Sequence, residues 1–96
     1  MDSGGTKRQM QVVFSGRVQG VGFPYTVLHA SESFELTGFV RNLMDGNVEV
    51  VAEGFEQELS DFLINIRSSH VGRYVSQEQV RWFPATAEFD SFRILS

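Results

Sequence analysis

The chain has 96 residues, of which 42% are hydrophobic, and eight Lys and Arg against twelve Asp and Glu give a formal charge of −4. This length fits one small domain, and the composition is globular rather than disordered. The absence of cysteine excludes a disulfide scaffold, a thiolate metal site and a cysteine nucleophile.

The charge and the apolar pattern exclude further classes. A net acidic domain lacks the basic field that a general nucleic-acid binder needs. No apolar run approaches 18 residues, and the polar N-terminus has no apolar signal-peptide core. The lack of cysteine does not by itself fix the compartment. We expect a cytoplasmic protein that neither binds nucleic acid nor enters a membrane.

The first third of the chain predicts a strand, a loop and a helix. The small, polar residues 1–9 predict a flexible tail, and residues 10–96 the folded domain. An alternation of apolar positions predicts the first strand, at Met10, Val12 and Phe14.

A glycine-rich loop, residues 16–22, follows this strand. Apolar residues spaced four, three and four apart then predict a helix, and they are Phe23, Val27, Ala30 and Phe34. Pro24 lies in the first turn of this helix, where the missing N–H would have had no partner.

The rest of the chain predicts a hairpin, a second helix and two short strands. Residues 36–43 form the first arm of the hairpin, and the Asp45-Gly46 pair forms its turn. The second arm alternates from Val48, and Gly54 is expected to end it. The apolar stripe of the second helix is Phe55, Leu59, Phe62, Leu63 and Ile66.

Residues 67–76 are polar and predict a loop before the final strands, which are centred on Val80 and Trp82 and then on Phe92 and Ile94. The predicted order is βαββαβ with one extra short strand. This order predicts an α+β ferredoxin-like sandwich, with an antiparallel sheet of four to five strands and two helices on one face.

The glycine-rich loop is the segment most suited to chemistry. Consecutive backbone N–H groups between a strand and a helix can converge on an anion, and the helix N-terminus adds free donors and a partial positive charge. Glycine permits positive φ and close approach of a ligand. Taken alone, the pattern also fits a purely structural connection.

Several segments together resemble the acylphosphatase family. They are GRVQGVGF at residues 16–23, LTGFVRNL at 36–43, VEVVAEG at 48–54 and FRI at 92–94. The resemblance extends over nearly all of residues 10–95. Members of this family are small, cofactor-independent, ferredoxin-like enzymes that hydrolyse carboxyl-phosphate anhydrides to a carboxylate and inorganic phosphate.

The resemblance implies roles for individual residues. The backbone N–H groups that would surround the phosphoryl oxygens are those of Gln19, Gly20, Val21, Gly22 and Phe23. Asn42 matches the catalytic asparagine, whose amide positions the attacking water and can both donate and accept. No metal or cofactor is implied. The expected partner is a small acyl phosphate, or inorganic phosphate or sulfate, bound by a monomer.

One position departs from the family pattern. The family has an arginine directly after Gly-Val-Gly-Phe, which clamps the phosphoryl group through two charge-assisted hydrogen bonds, and this chain has Pro24 there. We expect weak turnover, because such donors are worth about 10²–10⁵ in rate. Arg17, Arg41 and Arg73 are interpreted as scaffold or rim residues rather than substitutes.

Two alternatives remain at this stage. A catalytically impaired relative would still bind phosphate or an acyl phosphate through its loop amides. The other alternative is an RNA-binding sheet. Only Phe39 resembles the aromatic strand motif of such proteins, and the net charge of −4 argues against RNA binding.

Overall fold

The structure, a computed structural model, describes residues 6–96. Its elements follow the predicted βαββαβ order with a short final strand. In chain order they are β1 (Lys7–Gly16), α1 (Phe23–Ser31), β2 (Thr37–Asn42), β3 (Val48–Phe55), α2 (Glu56–Ser68), a 3₁₀ turn (Gly72–Tyr74), β4 (Val75–Pro84) and β5 (Phe92–Leu95).

Several boundaries differ from the prediction. The loop predicted at residues 67–76 is shorter, because α2 continues to Ser68 and β4 begins at Val75. Strand β1 begins at Lys7, so residues 7–9 belong to the sheet rather than to the predicted tail, and residues 1–5 of that tail lie outside the described residues. Strand β3 continues through Gly54 to Phe55, because it is paired on both sides in the middle of the sheet. Helix α1 ends at Ser31, and Phe34 packs beyond it against Phe62, with ring centroids 6.0 Å apart.

The strands form one sheet in the order β4-β1-β3-β2-β5. The predicted ferredoxin-like α+β fold is confirmed, with the difference that the sheet is mixed, since β5 pairs parallel with β2 while all other neighbours are antiparallel. β4 and β5 lie at opposite edges, and the chain between them crosses one end of the sheet. β5 therefore runs opposite to β4, which makes it parallel to β2.

The core lies between the sheet and the two helices. Every second side chain of β1 is fully buried, at Met10, Val12 and Phe14, and the apolar stripe of α2 covers them. Burying a side chain of this kind stabilises the fold by about 1.5–3 kcal/mol. The rings of Phe14 and Phe23 lie 5.1 Å apart and attach the start of α1 to the sheet. Within residues 6–96, neither helix has the length and apolarity needed to cross a bilayer.

A buried carboxylate holds the chain where it crosses the sheet. Glu53 in β3 is 4% exposed and accepts hydrogen bonds from the Gln9 side chain at 2.7 Å, from the Thr86 backbone N–H at 2.7 Å and from its hydroxyl at 2.9 Å. The N–H of Ala87, a residue with φ of 59°, donates at 2.9 Å. One side chain thus joins β1 and β3 to the segment that leads into β5.

Burial alone would raise the pKa of the Glu53 carboxyl, but the hydrogen bonds from Thr86, Gln9 and Ala87 together lower it below its ordinary value. A depressed pKa in the folded state stabilises the protein above the unfolded pKa of about 4.3, and this contribution is lost as pH falls through the folded value. We expect Glu53→Gln to lower the free energy of unfolding by about 1–3 kcal/mol at pH 7. The amide NH₂ group would replace an oxygen that accepts hydrogen bonds and would itself face hydrogen-bond donors.

The measurement is urea unfolding at several pH values. The parent should lose stability below about pH 4.3, and the variant should lose less over the same interval. Glu32→Gln, at an exposed position directly after α1 whose side chain makes no hydrogen bond or ion pair within residues 6–96, is a control for the loss of one carboxylate. Equal pH dependence in parent and Glu53→Gln would contradict the assigned role of this carboxylate.

Candidate active site

The loop between β1 and α1 begins at a close approach of two strands. Gly16 has φ of 125°, and a Cβ there would collide with the carbonyl oxygen of Tyr74. Directly after it, the Arg17 N–H donates to that same carbonyl at 3.1 Å. Only glycine therefore fits at the point where the chain leaves the sheet.

Two buried side chains hold the loop, and two glycines leave its centre open. Val18 and Phe23 are both fully buried. Gly20 and Gly22 have φ of 81° and 79°, and a Cβ at either position would meet nothing within 4 Å. The backbone of residues 19–23, called the cradle below, therefore faces open space at these two glycines.

The cradle carries a series of free backbone donors. Within residues 6–96, no N–H of residues 19–23 donates to another protein group. The first helical bond of α1 runs from the Thr26 N–H to the Gly22 carbonyl at 3.1 Å, so the N–H groups before it belong to the unpaired first turn. Such donors at the positive end of a helix can bind an anion.

Pro24 is the second residue of α1 and is half-buried. Its missing N–H removes no helical hydrogen bond at this position. The residue before a proline tends to avoid helical backbone, yet the helix already begins at Phe23, whose buried ring is packed against Phe14. Proline is thus compatible with the fold, and it places no cation beside the cradle.

Asn42 is the last residue of β2 and lies opposite Val48 in β3. Asn42 lies two residues after the buried Val40, and side chains two residues apart in a strand point to the same face. The Asn42 side chain therefore projects from the face of the sheet that the helices cover, the same side as α1. It is exposed, and its side-chain amide makes no hydrogen bond to any other described residue. This amide is free to contact a water or a ligand.

The side chain of Gln19 joins the cradle to the hairpin that carries Asn42. Its Nε2 donates to the carbonyl oxygens of Leu43 at 2.7 Å and Asn47 at 2.9 Å. The sequence predicted a role only for the backbone of Gln19. No local signal marks this contact, because its acceptors are main-chain carbonyls 24 and 28 residues away.

The nearby arginines occupy different places. Arg41 lies on the opposite face of the sheet from Asn42, where its Nε donates to Glu49 at 2.7 Å. The Arg73 guanidinium stacks over the Tyr74 ring at 5.4 Å. Arg17 is exposed in the loop, and its side chain forms no ion pair with a residue in the described part of the chain.

No three His, Asp or Glu side chains within residues 6–96 are grouped so that they could hold a metal ion. The groups described above at the site are backbone N–H donors and one side-chain amide. These groups can hold phosphoryl oxygens and orient a water, but none of them carries a charge.

Comparison with known proteins gives a consistent result. The family model described as Acylphosphatase matches residues 10–94. The acylphosphatase of Caldanaerobacter subterraneus subsp. tengcongensis is 35% identical over 88 residues, which are 92% of this chain and 98% of that protein. The acylphosphatase of Bacillus licheniformis is 41% identical over 85 residues, covering 88% and 91%.

Solved structures agree with the sequence comparison. The crystal structure of acylphosphatase from Bacillus subtilis matches with a TM-score of 0.85 at 32% identity, covering 93% of this chain and 99% of that one. Full-length HypF in its phosphate- and nucleotide-bound form matches with a TM-score of 0.86 at 26% identity, although the match covers only 12% of HypF. Since the family model, the curated relatives and the fold all agree, the chain belongs to the acylphosphatase family.

Proposed function

We propose that the protein hydrolyses a small acyl phosphate, that the cradle binds the phosphoryl group, and that Asn42 orients the attacking water. The observation that carries the proposal is the set of unpaired N–H groups in residues 19–23, with open space over Gly20 and Gly22. The free amide of Asn42 on the same side of the sheet completes the site.

The chemistry suits a site that has no acid or base. Water attacks phosphorus, the bond between phosphorus and the acyl oxygen breaks, and the carboxylate leaves with the electron pair. A carboxylate is a weak base, with a pKa near 4, so it leaves without protonation. Both protons of the water end on the product, dihydrogen phosphate. Catalysis then depends on alignment and on stabilisation of oxygen charge.

Pro24 in place of arginine weakens the stabilisation of oxygen charge. Amide N–H groups are neutral donors, whereas an arginine at this position would meet developing charge with two charge-assisted bonds. The proposed turnover is therefore slow. The same observation supports a second candidate function, in which the protein binds phosphate or an acyl phosphate through the cradle without useful turnover. A cytoplasmic location and a monomeric state belong to the same proposal.

Restoring the cation should raise activity. We expect Pro24→Arg to increase kcat/KM for benzoyl phosphate by about 10²–10⁵, because the guanidinium would lie in the first turn of α1 beside the cradle. Pro24→Met removes the proline without adding charge, and it should remain near the parent rate. Equal rates in the parent and Pro24→Arg would refute the roles assigned here.

Removing the water-orienting amide should lower kcat. We expect Asn42→Ala to reduce kcat by about 10²-fold or more, measured in the Pro24→Arg background, while phosphate affinity is largely kept. The matched control is Asn65→Ala, an exposed asparagine on α2. If Asn42→Ala retains full kcat, the asparagine does not orient the water.

Binding can be tested without turnover. Inorganic phosphate should raise the Tm of the parent, since a ligand that binds only the folded state stabilises it, by about 2.7 kcal/mol at 100 times Kd. Gly22→Ala should lose this increment, because a methyl group enters the open space at a backbone φ of 79°. An equal rise with sodium chloride at the same ionic strength would argue against a phosphate site.

A further inference from the structure

The side chain of Gln19 is not explained by the binding of phosphate to backbone amides. Gln19 is the first residue of the cradle and is exposed, yet its side chain is directed to the β2–β3 hairpin and donates to Leu43 O at 2.7 Å and Asn47 O at 2.9 Å. A primary amide nitrogen has two protons, and both are used. The orientation of the amide follows from its partners, because a carbonyl oxygen can only accept.

The two acceptors belong to a well-ordered turn. The Leu43 N–H donates to Asn47 O at 2.8 Å, and the Gly46 N–H donates to Leu43 O at 3.2 Å. Asp45 accepts from the Asn47 backbone N–H at 3.0 Å and from its side chain at 3.2 Å. Gln19 thus adds two hydrogen bonds to carbonyls that also accept hydrogen bonds within the turn.

This turn begins one residue after Asn42. Among residues 6–96, the two Gln19 bonds are the only hydrogen bonds that join residues 16–22 to the β2–β3 hairpin. The Gln19 side chain is therefore the direct constraint on the separation between the cradle donors and the Asn42 amide.

We propose that Gln19 is a positioning residue, which aligns the phosphate held by the cradle with the water held by Asn42. This inference rests on the proposed function of the site. A displacement of about 1 Å between reacting groups can cost about 10²-fold in rate, while each group still binds its own partner. The expected signature of a lost Gln19 contact is a fall in kcat with phosphate affinity preserved.

The test variant is Gln19→Met, which keeps the length of the side chain and removes both donors. In the Pro24→Arg background we expect kcat for benzoyl phosphate to fall by about 10- to 100-fold, with little change in the phosphate Kd. The matched control is Gln79→Met, an exposed glutamine on β4 whose side chain makes no hydrogen bond to the rest of the described chain. It should leave kcat unchanged.

A double-mutant cycle tests whether Gln19 acts through Asn42. Once Asn42→Ala has removed the group to be aligned, Gln19→Met should lower kcat little further. If the two substitutions multiply their effects instead, or if Gln19→Met leaves kcat unchanged, the proposal is overturned. A parallel fall in kcat and phosphate affinity would also overturn it, since that result indicates collapse of the cradle.

Hydrogen exchange separates this proposal from the proposed function. Gln19→Met should speed amide exchange at Leu43 and Gly46, because their turn loses two hydrogen bonds to its carbonyls. This effect is expected even if no variant hydrolyses benzoyl phosphate, an outcome that would refute the proposed activity alone. Unchanged exchange at both amides would show that the contact does not hold the hairpin and would overturn the inference about Gln19.

Discussion

The burial of Val18 and Phe23 is the constraint on which the candidate site depends. Both side chains are fully buried, and they hold a short segment of backbone whose N–H groups, among the described residues, donate to neither the sheet nor the helix. A free loop would turn its N–H groups toward water in many conformations. A loop held at both sides keeps its donors in one arrangement, and the entropy of ordering them is lost on folding rather than on binding ligand.

Pro24 separates what the fold requires from what the chemistry requires. A proline in the first turn of a helix costs no hydrogen bond, so α1 forms as it would with arginine. Under the proposed function, the expected loss is in charge stabilisation, where a factor of about 10²–10⁵ in rate corresponds to about 3–7 kcal/mol. Family membership and fold therefore remain secure at a position where catalytic power is expected to change.

Two side chains, Glu53 and Gln19, connect parts of the chain that are distant in sequence. Glu53 holds the segment that crosses the end of the sheet. Gln19 holds the cradle against the β2–β3 turn. Both partners of Gln19 and two of the four partners of Glu53 are backbone groups, so these contacts depend in large part on where the main chain runs.

The sequence by itself determined the βαββαβ order, the apolar faces of both helices, the family and the candidate residues of the cradle and Asn42. These features are encoded in local periodicity and in motif residues. The tertiary structure decided that β3 runs through Gly54, that β5 is parallel to β2, and that the Gln19 side chain reaches the hairpin. Strand pairing and contacts to backbone carbonyls join segments that are distant in the sequence. Every residue has the same backbone carbonyl, so the sequence does not show which carbonyl a side chain will contact.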